Sequence, residues 1–178
     1  MKYYVVALLD KDSYDELTPI KRKFSKKFKA NRHSPIPFIA LNVIDTSNIE
    51  KVSQVVEKVI KPYKKFKVEL NNNVSVSESL KTVNLQIQDR GYIKKIYSAL
   101  KENFELNGLN VKYTADKDIS ISLATLNHVN KNIDNDVACD ENDSFLQNQT
   151  YKVSKLEVWR LSNNKKEICL KSFPLRSF

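Results

Sequence analysis

The chain has 178 residues, of which 41% are hydrophobic and 29% are charged, and its formal net charge is +9. This length suits one domain with a sizeable core, and a total of two glycines excludes a glycine-rich phosphate-binding loop. No apolar stretch approaches the roughly 20 residues of a membrane-spanning helix. Two widely spaced cysteines favour a reducing compartment, so we expect a cytoplasmic protein with no membrane partner.

The first part of the chain predicts two strand–helix units. Residues 2–10 and 36–44 are short apolar runs, typical of buried strands. A helix is expected after each of them. The first helix either begins at Pro19 or is kinked there, and Pro62 stops the second.

The rest of the chain predicts five strands around one long helix. The helix spans about 91–105, and Gly108 lies just past its end, as expected of a C-cap glycine. Residues 129–149 are polar and acidic, which predicts a loop. The predicted strands are 66–70, 80–88, 118–126, 151–161 and 166–173. This order predicts an α+β fold with two mostly antiparallel sheets.

Four segments carry a family resemblance that covers nearly the whole chain. They are the opening KYYVVALLD, PFIALNVI after a proline-rich approach, DISISLATL, and the closing VWRLSNNKKEICLKSFPL. In this order they resemble the 2H phosphoesterases, the 2′-5′ RNA ligase-like family. The resemblance implies a single domain over 1–178 with two pseudo-symmetric lobes. Its two sheets would flank a central groove, with helices outside and motif strands near 36–44 and 118–126.

The resemblance also implies a His-x-Thr/Ser motif on one strand of each lobe. Residues two apart on a strand face the same side, so both would point into the groove. By position, the first motif falls on Phe38 and Ala40, and the second on Asp118 and Ser120. Family members use one histidine as general base and the other as general acid. Of these four residues only Ser120 matches, so both proton-transfer groups are replaced.

The two histidines of the chain are not expected to take over this role. His33 precedes Phe38 beyond two prolines, and His128 lies far past Asp118. Both are interpreted as surface or loop residues. Asp118 could act as a base, but an ordinary aspartate pKa of about 3.9 makes it a poor acid near neutrality.

Three functions remain open on this reading. In the first, the protein has lost phosphodiesterase activity and binds a nucleotide, an RNA end or another phosphate-bearing ligand in the groove. Phe38 would then stack on a base. Residues expected to line this pocket are Phe38, Asp118, Ser120, Ser122 and Arg32. The second is an active phosphodiesterase for RNA or cyclic nucleotides with a non-standard acid/base set that includes Asp118. The third is a structural or protein-interaction module whose groove Phe38 and Ala40 fill.

No cofactor or metal is expected. No His or Cys residues have metal-ligand spacing, and the acidic stretch 134–143 lacks the glycine and spacing of a calcium loop. RNA or a nucleotide is the expected partner, and a monomer is favoured. The lysine-rich segments 21–29 and 61–67 are either solvated faces or patches for a polyanion.

Overall fold

A computed structural model of the chain describes residues 1–31, 33–78, 80–88, 90–114, 119–127, 136–138, 149–162 and 166–177. Within these ranges there are three helices and nine strands. They follow the order β1 (Lys2–Leu9), α1 (Lys11–Lys27), β2 (Phe38–Asp45), α2 (Ile49–Ile60), β3 (Phe66–Ser77), β4 (Thr82–Ile87), α3 (Gly91–Leu106), β5 (Asn110–Thr114), β6 (Ser120–Thr125), β7 (Asp136–Ala138), β8 (Thr150–Leu161) and β9 (Glu167–Pro174).

The strands are joined by antiparallel pairing in the order β7-β3-β4-β6-β2-β1-β8-β9, with β5 beside β2. Two short ladders connect the strands β7, β3, β4 and β6 with the strands β2, β1, β8 and β9. One pairs Phe38 with Ser122 and Ile39 with Ile121, between β2 and β6. The other pairs the start of β3 with the start of β8. The α+β class is confirmed, but the two expected sheets are joined at these two seams into one system.

The helices begin and end where local chemistry allows. The Asp10 side chain accepts a 3.0 Å hydrogen bond from the Ser13 backbone N–H, which caps the start of α1. Pro19 lies inside this helix, so α1 begins well before the proline. The third helix, α3, ends at Leu106. Just past it, Gly108 has φ of 67°, the left-handed conformation predicted for it.

Two predicted segments differ from the structure in extent. β3 continues past residue 70 to Ser77, through a polar stretch that pairs with β4 and β7 rather than turning. Within the loop expected at 129–149, residues 136–138 form β7 on the edge of β3. Most of the remainder of that loop lies outside the described residues. No described helix combines the length and the apolar character that a membrane span requires.

The sheet separates two apolar clusters of unequal size. The main core lies between the sheet and the helices and contains Val5, Ala7, Ile39, Ile121 and Leu123 among many others. Strand residues alternate between the two sides of a sheet. The neighbours of these residues in sequence therefore point to the opposite side, which we call the motif face because Phe38 and Ala40 lie on it.

Candidate functional site

The motif face carries a compact apolar cluster at the predicted first motif. Its five buried members, which we call the Phe38 cluster, are Val6, Leu8, Phe38, Ala40 and Trp159. Pairing explains their meeting: Val6 lies opposite Ala40 on β2 and opposite Glu157 on β8. The half-buried side chains of Tyr4 and Leu80 pack against the cluster. The two first-motif positions are thus part of a small second core.

Phe38 and Trp159 form the centre of this cluster. Phe38 is 6% exposed and Trp159 is 1% exposed. Their ring centroids are 5.1 Å apart, with an interplanar angle of 61°, so the rings meet edge to face. A nucleobase could stack on Phe38 only after this contact had opened.

A buried carboxylate holds Trp159 in place. The indole N–H of Trp159 donates a 2.6 Å hydrogen bond to Oε2 of Glu157. The other carboxylate oxygen lies 2.7 Å from Nζ of Lys155 and accepts a hydrogen bond from the Ser172 hydroxyl. Burial raises the pKa of Glu157, but the hydrogen bonds from Lys155 and Trp159 more than offset this, so its pKa lies below the ordinary value. Glu157 is therefore a structural anion whose hydrogen bonds are satisfied.

The approach to Phe38 is fixed by Tyr14 on α1. The Tyr14 hydroxyl donates a 2.8 Å hydrogen bond to the carbonyl of Pro37, the residue just before β2. It also accepts a hydrogen bond from the backbone N–H of Leu9 at the end of β1. Burial is the main reason that the pKa of Tyr14 is raised, so the hydroxyl remains a neutral structural bridge.

The second motif strand, β6, contributes serines to the motif face. Ile121 and Leu123 point into the main core, so Ser120 and Ser122 point to the other side. Ser122 lies opposite Phe38 and is 3% exposed. Continued by two residues, the same antiparallel register brings Ser120 level with Ala40. Of the predicted residues, the structure thus pairs Phe38 with Ser122, and Ala40 and Ser120 each lie two residues along the same two strands.

Beyond Ser122, the motif face becomes polar and buried. Asn84 on β4 lies opposite Ser122, and Thr82 is two residues away on the same side. Among the described residues, Thr82 Oγ1 and Asn84 Oδ1 are buried without a hydrogen-bond partner, as are both polar side-chain atoms of Asn42. A buried polar atom without a partner is costly, so these atoms mark places where a ligand or water would be stabilised. The sequence gives no sign of these atoms, because the pairing of β4 with β6 that brings them to Ser122 leaves no local pattern.

Two predicted site residues, Asp118 and Arg32, lie outside the described residues. His33 is exposed, and its loop is tied to the far end of β6. The Asn31 N–H donates to the Thr125 carbonyl at 2.8 Å, and the Thr125 N–H donates to the Ser34 hydroxyl at 2.9 Å. Thr125 lies five positions after Ser120, which corresponds to about 16 Å along the strand. His33 is therefore anchored at the opposite end of the strand from Ser120.

The antiparallel sheet and the three described helices match the fold of the LigT-like 2H phosphoesterases. The protein TT0787 of Thermus thermophilus superimposes with a TM-score of 0.68 and 14% identity, covering 99% of each chain. LigT of E. coli in its apo form gives a TM-score of 0.61 at 12% identity, covering 99% of this chain and 98% of LigT.

The complex of E. coli LigT with 3′-AMP gives a TM-score of 0.59 at 12% identity, covering 98% of this chain and 97% of that chain. No protein-family model and no curated protein sequence matches the chain. At these identities the likeness concerns the fold, and the chemistry of the site must be argued from the residues present.

Proposed function

We propose that this chain is a binding protein with the 2H phosphoesterase fold and without phosphodiesterase activity. The observation that supports this best is the burial of Phe38 against Trp159 at the first motif position. An imidazole at that position would have to face open solvent to exchange protons with a substrate. Here a phenyl ring packs in a small core instead.

The four facing residues offer no proton-transfer pair. Cleavage of a 2′,3′-cyclic phosphate needs a base and an acid in reach of the phosphorus, and each contributes a factor of about 10²–10⁴. Phe38 and Ala40 have no titratable atom, and the hydroxyls of Ser120 and Ser122 can only hydrogen-bond near neutral pH. These four residues could hold a ligand, but they offer no group that moves protons for one.

We also infer that the second motif corresponds to Ser120 and Ser122, two residues later than the sequence predicted. Each motif has two residues that lie two positions apart on its strand. Because the two strands run antiparallel, the motifs face one another when the first motif residue of one strand lies opposite the second motif residue of the other. Phe38 lies opposite Ser122, and a register continued beyond Ile39 would put Ala40 opposite Ser120. Asp118 would fall beyond the end of this ladder. Ser122 then takes the hydroxyl position, and Ser120 takes the position of the second histidine.

The buried polar atoms favour a ligand site in the polar part of the motif face. Thr82 Oγ1 and Asn84 Oδ1 lack partners among the described residues; Asn84 lies opposite Ser122, and Thr82 lies opposite Thr125. LigT has been crystallised with 3′-AMP and with ATP, which makes nucleotides the first ligands to test. A nucleotide seated on Phe38 itself would have to separate Phe38 from Trp159.

Trp159 is the single tryptophan of the chain. Its emission can therefore distinguish, in one sample, a groove that binds a nucleotide from a groove that is filled. Saturable changes in its emission on titration with 3′-AMP or ATP, lost in Ser122→Ala, would support a nucleotide in the groove. An unchanged emission up to millimolar ligand would support the filled groove. Hydrolysis of a 2′,3′-cyclic nucleotide by the same protein, abolished in Asp118→Ala, would overturn the proposal in favour of the enzyme with an altered acid/base set.

A further inference from the structure

Two cavities lie beside the end of α2. One of about 710 Å³ lies between the end of α2 and β9, and another of about 360 Å³ lies between the loop 61–65 and the start of α3. Tyr63 lines both cavities, and we call the two together the Tyr63 surface. We propose that the Tyr63 surface binds single-stranded nucleic acid.

The charge of the Tyr63 surface is strongly positive. Six cations and one carboxylate line its two cavities: Lys58, Lys61, Lys64, Lys65, Lys95 and Arg176, with Glu57. Lys58 and Lys61 form no salt bridge with any described carboxylate, although Glu57 is close to both in sequence. Clustered cations of this kind neutralise the phosphates of a nucleic-acid backbone and release its counterions.

Aromatic rings lie among these cations. Tyr92 is 54% exposed, and every other aromatic side chain whose burial the structure describes is less accessible. Its ring meets Tyr63 edge to face at 5.8 Å and the buried Phe66 at 5.9 Å, while Nζ of Lys95 lies 5.7 Å from its centroid. Although Lys95 lies over the ring, about half of the Tyr92 side chain remains exposed. An exposed, fixed ring beside cations suits stacking of an unpaired base next to its phosphate.

The backbone beneath the Tyr63 surface is fixed in advance. The Lys65 N–H donates a 2.9 Å hydrogen bond to the Arg176 carbonyl. The Arg176 guanidinium donates a 2.5 Å hydrogen bond to the carbonyl of Lys61, the C-cap residue of α2. These bonds attach the chain after β9 to the end of α2. A strand of nucleic acid would therefore bind without first ordering this part of the protein.

The end of α1 provides a matched comparison. α1 ends in Lys26 and Lys27, as α2 ends near Lys58 and Lys61, and cations favour helix C-termini in any protein. The end of α2 adjoins the exposed ring of Tyr92 and a cavity that other cations line, whereas Phe28 at the end of α1 packs against the main core. Lysines at a helix end therefore do not by themselves account for the Tyr63 surface.

The test is fluorescence anisotropy with a labelled 12-nucleotide single-stranded RNA at two salt concentrations. Lys58→Ala/Lys61→Ala should weaken binding roughly tenfold at 0.1 M salt and lower the salt slope by about 1.4, since each phosphate contact on a single strand contributes about 0.7. Lys26→Ala/Lys27→Ala removes the same charge and should change affinity less than twofold. Equal losses in the two double variants would overturn the assignment of the site.

The aromatic part of the proposal has its own variants. Tyr92→Ala should weaken binding about tenfold, and Tyr92→Phe, which keeps the ring, should bind like the wild type. An abasic oligonucleotide of the same length should bind the wild type and Tyr92→Ala equally. Undiminished binding of the normal RNA by Tyr92→Ala would leave a polyanion patch without base contacts and contradict the proposal. These outcomes are measured as RNA binding and do not depend on the hydrolysis assay.

Discussion

Trp159 donates its indole N–H to Oε2 of Glu157 at 2.6 Å, and both side chains are buried. This hydrogen bond links the ring that covers Phe38 to a carboxylate on the same strand, two residues earlier. The Phe38 cluster is thus held together by a specific polar contact as well as by apolar packing. Several consequences of this arrangement can be measured.

Glu157→Gln removes the negative charge to which the side chains of Lys155 and Trp159 donate hydrogen bonds. We expect the free energy of unfolding to fall by about 1–3 kcal/mol, because hydrogen bonds to a buried charged group are lost or weakened. Urea titration followed by circular dichroism measures this change. Glu50→Gln is the matched control, since Glu50 forms an exposed salt bridge with Lys171 at 3.4 Å and should cost less than about 0.5 kcal/mol. Equal costs for the two variants would contradict the role assigned to Glu157.

The same carboxylate predicts a pH dependence of stability. Burial raises the pKa of Glu157, but hydrogen bonds from Lys155 and Trp159 bring it below the ordinary value. Its contribution to stability is therefore complete above the unfolded pKa of about 4.3 and is lost as the pH falls through the lower, folded pKa. Between about pH 5 and pH 3 the wild type should lose stability more steeply than Glu157→Gln.

Asp45 is present in both the wild type and Glu157→Gln. The hydrogen bond from the N-terminal ammonium lowers its pKa in the same direction, so its share of the acid sensitivity cancels in the difference. Parallel curves for the wild type and Glu157→Gln would show that Glu157 is not stabilised as an anion.

Phe38→Ala opens the centre of the Phe38 cluster. Loss of a buried phenyl ring typically costs about 3–5 kcal/mol, and we expect a red shift of Trp159 emission and easier quenching by acrylamide. Phe28→Ala, at the end of α1 and packed against the main core, should leave the emission maximum unchanged. An unshifted spectrum in Phe38→Ala would mean that the two rings are not in contact in solution.

The position of the second motif can be tested by restoring the family's residues. A triple variant with Phe38→His, Ala40→Thr and Ser120→His should acquire measurable hydrolysis of a 2′,3′-cyclic nucleotide. The same first two changes combined with Asp118→His should not. Activity in the Asp118 combination alone would show that the motif lies where the sequence alone placed it.

The sequence predicted most of the fold because its apolar runs follow the helix and strand periods closely. Residues 2–10, 36–44 and 151–161 each match a strand to within about two residues. The length of β3 was missed because Asn71 to Asn73 are poor strand formers, and the strand continues past them only through the pairing of Val74 to Ser77 with β4 and of Asn73 to Ser75 with β7. Long-range pairing of this kind leaves no local pattern.

The site could be predicted only in part, for a related reason. Spacing alone showed that Phe38 and Ala40 share one side of a strand, and the structure places Ser120 and Ser122 beside them. Which residue of β6 lies opposite Phe38 depends on the register between β2 and β6, and a sequence does not specify register directly. Trp159 and Glu157 come from β8, far along the chain. Their meeting with Phe38 follows from the order of strands in the sheet.

The central claim is that the closed motif face cannot carry out phosphodiester chemistry, and a hydrolysis assay tests it most directly. Wild-type protein is incubated with a 2′,3′-cyclic nucleotide and with a 2′-5′-linked dinucleotide at neutral pH, alongside Asp118→Ala as the matched variant. We predict that product formation in both samples equals the rate in buffer alone. Multiple turnovers by the wild type that disappear in Asp118→Ala would contradict the account.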